Sequence, residues 1–400
     1  MERTKNILIV AGEASGDLHA SNLVKAIKAL YPQINFFGLG GARLKETGVS
    51  LYFDIVELAV VGFFEVLKNL KKFRQVFLGL LKEVDRIKPD LGILVDYPGF
   101  NLRLAGELKK RGIPIVYYIS PQVWAWGEER IKTIKKIIDL MIVVFKFEEA
   151  LYKKYDIPVA FVGHPLLDIV SPKFAKEELF RKLGLNLNEL TLALLPGSRE
   201  KEVKTLLPIM LDTAGLIYKY LGNNIQFLIL RSNTVKEDVF NDILTRYAKG
   251  SVSSKRLFGM PRFPVQLISD LTYEGVAASD FAIVASGTAT LETAILGVPM
   301  VILYKVSFLT WLYLKSAIKI PYIGLVNVVK QEKFIAEFIQ YAAKPKRIAR
   351  YIVTILKDRQ KIIQIKQGLS SVATQLGEKG ASQKAAQEII NFLNKKGGAG

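Results

Sequence analysis

The sequence predicts an α/β protein of two domains, each a parallel sheet covered by helices on both faces. Three observations carry this reading. The chain has 400 residues, 50% of them apolar, which is more than one core of usual size takes up. Short apolar runs alternate with stretches whose apolar residues recur at helical spacing. Around Gly163–Pro172 the alternation breaks at Gly163, Pro165 and Pro172, and it then starts again.

The elements follow in order. Ile7–Ala11 is an apolar run that ends at Gly12, and Leu18–Leu30 has helical spacing. Asn35–Leu39 is a second strand. Leu91–Val95, Pro114–Ile119 and Leu140–Phe145 are further strands, separated by helix patterns at Asn101–Lys110 and Glu128–Ile138. The second series comprises Thr191–Leu195, Ile225–Leu230, Pro264–Ile268, Phe281–Ala285 and Pro299–Leu303. From Lys344 to Lys396 the pattern is helical and basic. Domains are expected at 1–168 and 173–345, followed by a helical tail over 346–396. In sheets of this kind ligands bind beyond the carboxyl ends of the strands, and two such halves imply a cleft between them.

Composition removes several classes. There is no cysteine, so disulfides, thiolate metal sites and a cysteine nucleophile are excluded. The two histidines, His19 and His164, are far apart in sequence, which argues against a multi-histidine metal site. Net charge is +19, of which residues 1–170 hold +5 and residues 171–400 hold +14. That excess suits an anionic surface or a phosphorylated substrate, or else solubility alone. No block resembles a basic nucleic-acid arm or a nucleic-acid module, so nucleic acid is not an expected partner. Ile7–Ala11 is too short for a signal peptide, and no stretch has the roughly 20 uninterrupted apolar residues of a spanning helix. The protein is expected to be soluble or peripheral.

Four constellations could carry chemistry. Ser286-Gly287-Thr288 lie where a buried strand gives way to a helix, with Glu292 about one turn further on. A turn of small residues lets a phosphate approach free amides, and the carboxylate suits a sugar diol. An ordinary turn with a solvated Glu reads equally well. Gly12-Glu13-Ala14-Ser15-Gly16-Asp17 is a second strand-to-helix turn. Ser15 or Asp17 suits a helix cap there, Glu13 suits a hydroxyl-rich substrate, and Ser15 is also a candidate for binding the substrate or UDP. Asp96 directly follows the strand Leu91–Val95. A carboxylate there becomes partly desolvated with a raised pKa, as a general base requires, or it merely organises the turn before Pro98. Asn101 is expected to cap the next helix. Pro196-Gly197-Ser198-Arg199 follows the first strand of the second half, where Arg199 meets anionic oxygens or stands as a surface side chain. None of this is a P-loop, and Gly38-Leu39-Gly40-Gly41 lacks the third glycine of a dinucleotide fingerprint.

Two stretches are both basic and apolar. In Val60–Leu81, Phe63, Phe64, Val66, Leu67, Leu70, Phe73, Phe77 and Leu80/Leu81 supply the apolar positions, with Lys68, Lys71, Lys72 and Arg74 between them. Tyr304–Ile323 places Trp311, Tyr313 and Tyr322 beside Lys305, Lys315 and Lys319. Such segments lie on anionic membranes and against acyl chains, or pack on a core with a solvated basic face.

Six motifs then appear in one order: Gly12–Asp17, Asp96-Tyr97-Pro98-Gly99-Phe100-Asn101, Ser120-Pro121-Gln122-Val123-Trp124-Ala125-Trp126, Phe161-Val162-Gly163-His164-Pro165, Leu195-Pro196-Gly197-Ser198-Arg199 and Ala285–Glu292. Singly they are weak. Together, over about residues 6–390, the chain resembles the lipid-A-disaccharide synthase family, inverting glycosyltransferases of the GT-B class. The resemblance implies two Rossmann-like domains facing a cleft, and a tail that crosses back to the first. It implies transfer from UDP-2,3-diacylglucosamine to 2,3-diacylglucosamine 1-phosphate (lipid X), giving a β-1′,6-linked disaccharide and UDP. It also implies that no metal or cofactor is required and that the enzyme sits peripherally on the cytoplasmic face of the inner membrane.

By position, the resemblance makes Asp96 the general base, Glu13 a substrate-orienting carboxylate, Arg199 a UDP-phosphate ligand and Ser286–Glu292 the nucleotide cradle. Asn327, in Gly324-Leu325-Val326-Asn327, matches another active-site position. Some relatives carry a second aspartate where this chain has Gly99, which leaves Asp96 as the base candidate. The rival readings are another GT-B UDP-sugar enzyme, either a peptidoglycan N-acetylglucosaminyltransferase or a UDP-sugar epimerase, and a non-catalytic UDP-sugar-binding membrane protein. Acyl-chain length and oligomeric state have no signal in the sequence.

Overall fold

The structure is a computed structural model, and it describes residues 4–54, 70–126, 129–222, 224–249, 263–307, 310–311 and 321–397. The chain divides into two compact units, residues 1–165 with 376–400, and residues 166–375.

The first unit is built on a seven-stranded, wholly parallel sheet. Its strands are β1 (Lys5–Ala11), β2 (Ile34–Gly40), β3 (Ser50–Asp54), β4 (Leu91–Val95), β5 (Ile115–Tyr118), β6 (Leu140–Val143) and β7 (Val159–Phe161), in the order β3-β2-β1-β4-β5-β6-β7. Every residue of β4, β5 and β6 is buried, as expected where both faces of a sheet are covered. Each fully buried Leu, Ile or Val contributes about 2 kcal/mol, so these short runs suffice to fix the centre of the sheet. The helix Ala381–Gly397 packs against helix Ala14–Leu30, burying Ala381, Ala385, Ala386 and Ile389.

The second unit holds a six-stranded parallel sheet. It comprises β8 (Leu190–Leu195), β9 (Ile225–Leu230), β10 (Val265–Ile268), β11 (Phe281–Ala285), β12 (Met300–Tyr304) and β13 (Glu337–Ile339), in the order β10-β9-β8-β11-β12-β13. The long helix Glu200–Leu221 packs against Pro345–Lys357, whose Ile348, Ala349 and Ile352 are buried.

In both sheets the strand order reverses once, between β1 and β4 in the first unit and between β8 and β11 in the second. Neighbouring crossovers leave such a point in opposite directions, which opens a crevice beyond the carboxyl ends of the two strands. The first crevice is bordered by Gly12-Glu13 and Asp96-Tyr97, and the second by Pro196–Arg199 and Ser286–Thr288.

The strands expected from the sequence are present with ends shifted by a residue or two, and β3, β7 and β13 are additional. All three are edge strands, and most of their residues are only half-buried, so they lack the apolar run that marks a central strand. The capping roles also change. The helix after β4 starts at Pro98, with Tyr97 as its N-cap, so Asn101 lies inside the first turn and does not cap it. It is fully buried, and its amide donates to the carbonyls of Val95 (3.1 Å) and Asp96 (2.8 Å), closing the end of β4. Asp17 likewise leaves its own helix uncapped. Its carboxylate accepts from the amides of Gly41 (2.7 Å), Arg43 (3.1 Å) and Leu44 (3.2 Å), and so caps the neighbouring helix Ala42–Glu46. Glu13 is the N-cap residue of helix Ala14–Leu30 and makes no side-chain cap.

Candidate active site

At the switch point of the first unit, Asp96 and Tyr97 both adopt left-handed backbone, with φ of 48° and 47°. Consecutive non-glycine residues in this region are strained, and surrounding contacts must hold them. Asp96 N–H donates to the Tyr118 carbonyl (3.0 Å), while the Asp96 carbonyl accepts from the Tyr117 hydroxyl (2.5 Å) and from Asn101. The Tyr97 ring lies over Gly12, where a Cβ would fall 2.1 Å from its Cδ1, so only glycine leaves room for it. The backbone of Asp96 is thus fixed from three directions.

The Asp96 carboxyl is half-buried. Burial first, and the charge of Glu13 second, push its pKa up to about 6, against the opposing hydrogen bond from the Tyr97 N–H. Glu13 and Ser15 are exposed, with their backbone at the carboxyl end of β1. The structure therefore brings Glu13 and Asp96 into electrostatic contact. Burial lowers His19 to about 4 and, with the charge of His19, lowers His164 to about 3, so both are neutral near pH 7.

Beyond β5, Glu148 is buried and receives the Ser120 hydroxyl (2.7 Å) and the Trp124 indole N–H (3.1 Å) on one oxygen, Oε1. Burial pushes its carboxyl up to about 7, and the hydrogen bonds it accepts oppose that rise. No motif marks this group in the sequence, because an acid among lysines reads as solvated. Tyr97 and Tyr117 were likewise invisible as supports of Asp96, since the turn geometry that gives them this role is not a pattern of residue types.

At the second switch point, Ser286 is anchored. Its amide donates to the Leu303 carbonyl (2.9 Å) and its hydroxyl to the Ile323 carbonyl (3.0 Å). The amide of Ser286 is therefore not a free donor. Those of Gly287, Thr288 and Ala289 have no hydrogen-bond acceptor among the described residues, and the space around Gly287 Cα is open. Glu292 is half-buried and accepts from the Tyr273 hydroxyl (3.2 Å); burial raises its pKa.

Arg199 is exposed and pairs with Glu202 (3.1 Å), whose other oxygen accepts from the Ser198 N–H (3.2 Å). Gly197, with φ of 120°, lies so close to Glu202 that a Cβ would come within 2.6 Å of Oε2. Tyr304, at the end of β12, is raised by burial and by the charge of Glu202, with Arg199 opposing.

Asn327 lies deeper. It is fully buried, and its amide group donates to Ile335 O (2.8 Å) and Glu337 Oε1 (2.8 Å) while accepting from Ile335 N (3.0 Å). Glu337 in turn accepts from the amides of Ile323 and Gly324, adjoining the carbonyl that holds Ser286. Asn327 reaches the cradle through this chain of bonds.

Phe63, Phe64, Val66 and Leu67 lie outside the described residues, as does the side chain of Leu70. In helix Leu70–Ile87, Phe73 and Phe77 pack against the core of the first unit, while Lys71, Lys72 and Arg74 are exposed. Trp311 is half-buried beside exposed Thr310, and Lys305 is exposed. Among the described residues no helix is long and apolar enough to cross a membrane.

Comparison with known proteins decides the family. The family model "Lipid-A-disaccharide synthetase" matches residues 7–391. The chain belongs to the lipid-A-disaccharide synthase family. It is 45% identical to the lipid-A-disaccharide synthase of Syntrophus aciditrophicus, over 98% of this chain and 99% of that one. Lipid-A-disaccharide synthase 1 of Legionella pneumophila is 42% identical over 90% of each chain. Among solved structures, the calicheamicin glycosyltransferase CalG4 aligns with a TM-score of 0.60 at 12% identity, covering 98% of this chain and 99% of that one. The UDP-GlcNAc 2-epimerase of Neisseria meningitidis, bound to UDP-GlcNAc, aligns with a TM-score of 0.56 at 14% identity, covering 98% and 100%. At such identities these structures show the fold alone, two Rossmann-like domains of the GT-B type. The family membership makes the chain a glycosyltransferase of lipid A biosynthesis and sets aside the epimerase and the non-catalytic readings.

Proposed function

We propose that this enzyme condenses UDP-2,3-diacylglucosamine with 2,3-diacylglucosamine 1-phosphate, forming the β-1′,6-linked lipid A disaccharide 1-phosphate and UDP. The observation that carries the mechanism is Asp96: a half-buried carboxyl at a topological switch point, raised to about 6 and held by strained backbone. A base of that pKa is ionised at neutral pH yet still takes a proton readily.

Asp96 removes the proton of the acceptor's 6-hydroxyl as that oxygen bonds to the donor's anomeric carbon. The bond from this carbon to the diphosphate oxygen breaks, its electron pair leaves with UDP, and the anomeric configuration inverts. Arg199 and the amides of residues 287–289 stabilise the negative charge that grows on the diphosphate. Glu292 accepts from a ribose hydroxyl. Glu13 and Ser15 orient the acceptor, and Asn327 serves the cradle by fixing Glu337 and the Ile323 carbonyl.

Both substrates carry acyl chains, so the enzyme works as a peripheral protein at the inner face of the inner membrane. The exposed Lys71, Lys72 and Arg74 supply electrostatic attraction to anionic lipid, and Phe63, Phe64, Val66, Leu67, Leu70 and Trp311 are the candidates for acyl contact, whereas Phe73, expected there from the sequence, packs on the core. In a flotation assay at low salt the protein rises with anionic vesicles and not with neutral ones; recovery in the pellet from both removes the membrane role.

The decisive experiment is incubation with the two acylated substrates and mass spectrometry of the lipid fraction. A disaccharide 1-phosphate with stoichiometric UDP is expected. Formation of UDP without a joined lipid, or efficient turnover of an unacylated UDP-sugar, refutes the reading.

A further inference from the structure

Three features converge just beyond β5, next to the strand that carries Asp96. Ile119 has left-handed backbone with φ of 63°, an unfavourable state for a β-branched residue. Ser120 and Glu148 are 5% and 1% exposed, so their contact is dry. Glu148 Oε1 receives both Ser120 Oγ and Trp124 Nε1, and the backbone N–H groups of Phe145 and Val144 also favour its charged form. Burying an acid is costly, and an apolar side chain would avoid that cost.

We infer that Glu148 is a positioning residue for transfer: it pins the segment 120–124 and, through the strained turn at Ile119, the β5 residues that hold Asp96. The path is continuous along the chain. Glu148 holds Ser120, Ser120 follows Ile119, and Ile119 follows Tyr118 and Tyr117, which bond the amide and the carbonyl of Asp96 at 3.0 and 2.5 Å. A strained residue persists only where its neighbours over-determine it, and Glu148 supplies the anchor on the far side of Ile119. Lys146 and Lys153, on the same helix, pair with the neighbouring Glu149, and Glu148 takes the Ser120 and Trp124 donors. The inference rests on the reading of Asp96 as the base.

The test uses the full chain with both acylated substrates. Glu148→Leu removes the acceptor at similar volume; kcat is expected to fall by about tenfold or more, since small misplacements of a catalytic group are expensive. KM for the UDP-sugar donor and the affinity for UDP alone stay unchanged, because the second unit is untouched. Glu148→Gln keeps a carbonyl oxygen for both donors and recovers most of the loss. Should Glu148→Leu fail to fold, the double variant Ser120→Ala/Trp124→Phe removes the same two hydrogen bonds with Glu148 in place, and it shows the same split.

An unchanged kcat in a folded Glu148→Leu protein, or in the double variant, overturns the inference. So does a Gln variant as slow as the Leu one, or UDP affinity that falls in step with kcat. If the unsubstituted protein makes no disaccharide, the functional reading itself has failed, and that control separates the two failures.

Discussion

The two switch points are built on the same topology and carry opposite chemistry. In the first unit, carboxylates follow both central strands: Glu13 after β1 and Asp96 after β4. In the second, Arg199 follows β8, and the amides of residues 287–289, without an acceptor among the described residues, follow β11. Burial and, after it, a like charge raise the Asp96 pKa, whereas cations and amide dipoles favour an anion. On the proposed function, parallel-sheet topology supplies a place, and a handful of side chains at the strand ends decide whether that place takes a proton or a phosphate.

The contrast can be broken at several points. The largest effect is expected from Asp96→Ala, which lowers turnover by at least about a hundredfold, the low end for loss of a general base. Its affinity for UDP, measured by calorimetry, remains that of the unsubstituted protein. Retained turnover in a folded Asp96→Ala protein removes it from the role.

Arg199→Ala has the reverse signature. Loss of one charge-assisted hydrogen bond costs about 1.5–3 kcal/mol, roughly ten- to a hundredfold in UDP affinity. The pH dependence set by Asp96 does not move. An unchanged dissociation constant for UDP shows that Arg199, with its Glu202 partner, is only a surface ion pair.

The smallest effect sharpens the first switch point. With Asp96 raised to about 6, a reaction that needs its ionised form is slow below that pH, rises through it and levels off above it. Glu13→Gln removes the like charge that helps raise Asp96, so the midpoint of the acid limb moves to lower pH. A limb that stays in place, or moves upward, means that Glu13 does not act on Asp96 in this way.

Much of this arrangement was legible in the sequence, for a physical reason. Central parallel strands such as Leu91–Val95 must be apolar on both faces, so they stand out, and the residues that follow them are placed at a crevice almost automatically. Edge strands obey no such constraint, and Ser50–Asp54, Val159–Phe161 and Glu337–Ile339 left no run to read. Capping was misassigned for a related reason: Asp17 and Asn101 are polar residues in the right neighbourhood of a helix start, but their partners are distant in sequence or lie in the preceding strand. The supporting shell was the least visible. Glu148, Glu202 and Glu337 look like solvated acids in the sequence, and only the folded chain shows each one gathering donors from segments that periodicity treats as unrelated.

The helix Ala381–Gly397 belongs to the first unit, and His164 N–H donates to the carbonyl of Leu376 (2.8 Å) as the chain returns. During synthesis, the groove of helix Ala14–Leu30 that this helix fills stays uncovered until the whole second unit has left the ribosome. The nascent first unit therefore lacks that packing partner while residues 166–375 are made. A chain that stops at Gln375 keeps every residue of the second unit and loses a helix of the first, the part of the protein made earliest.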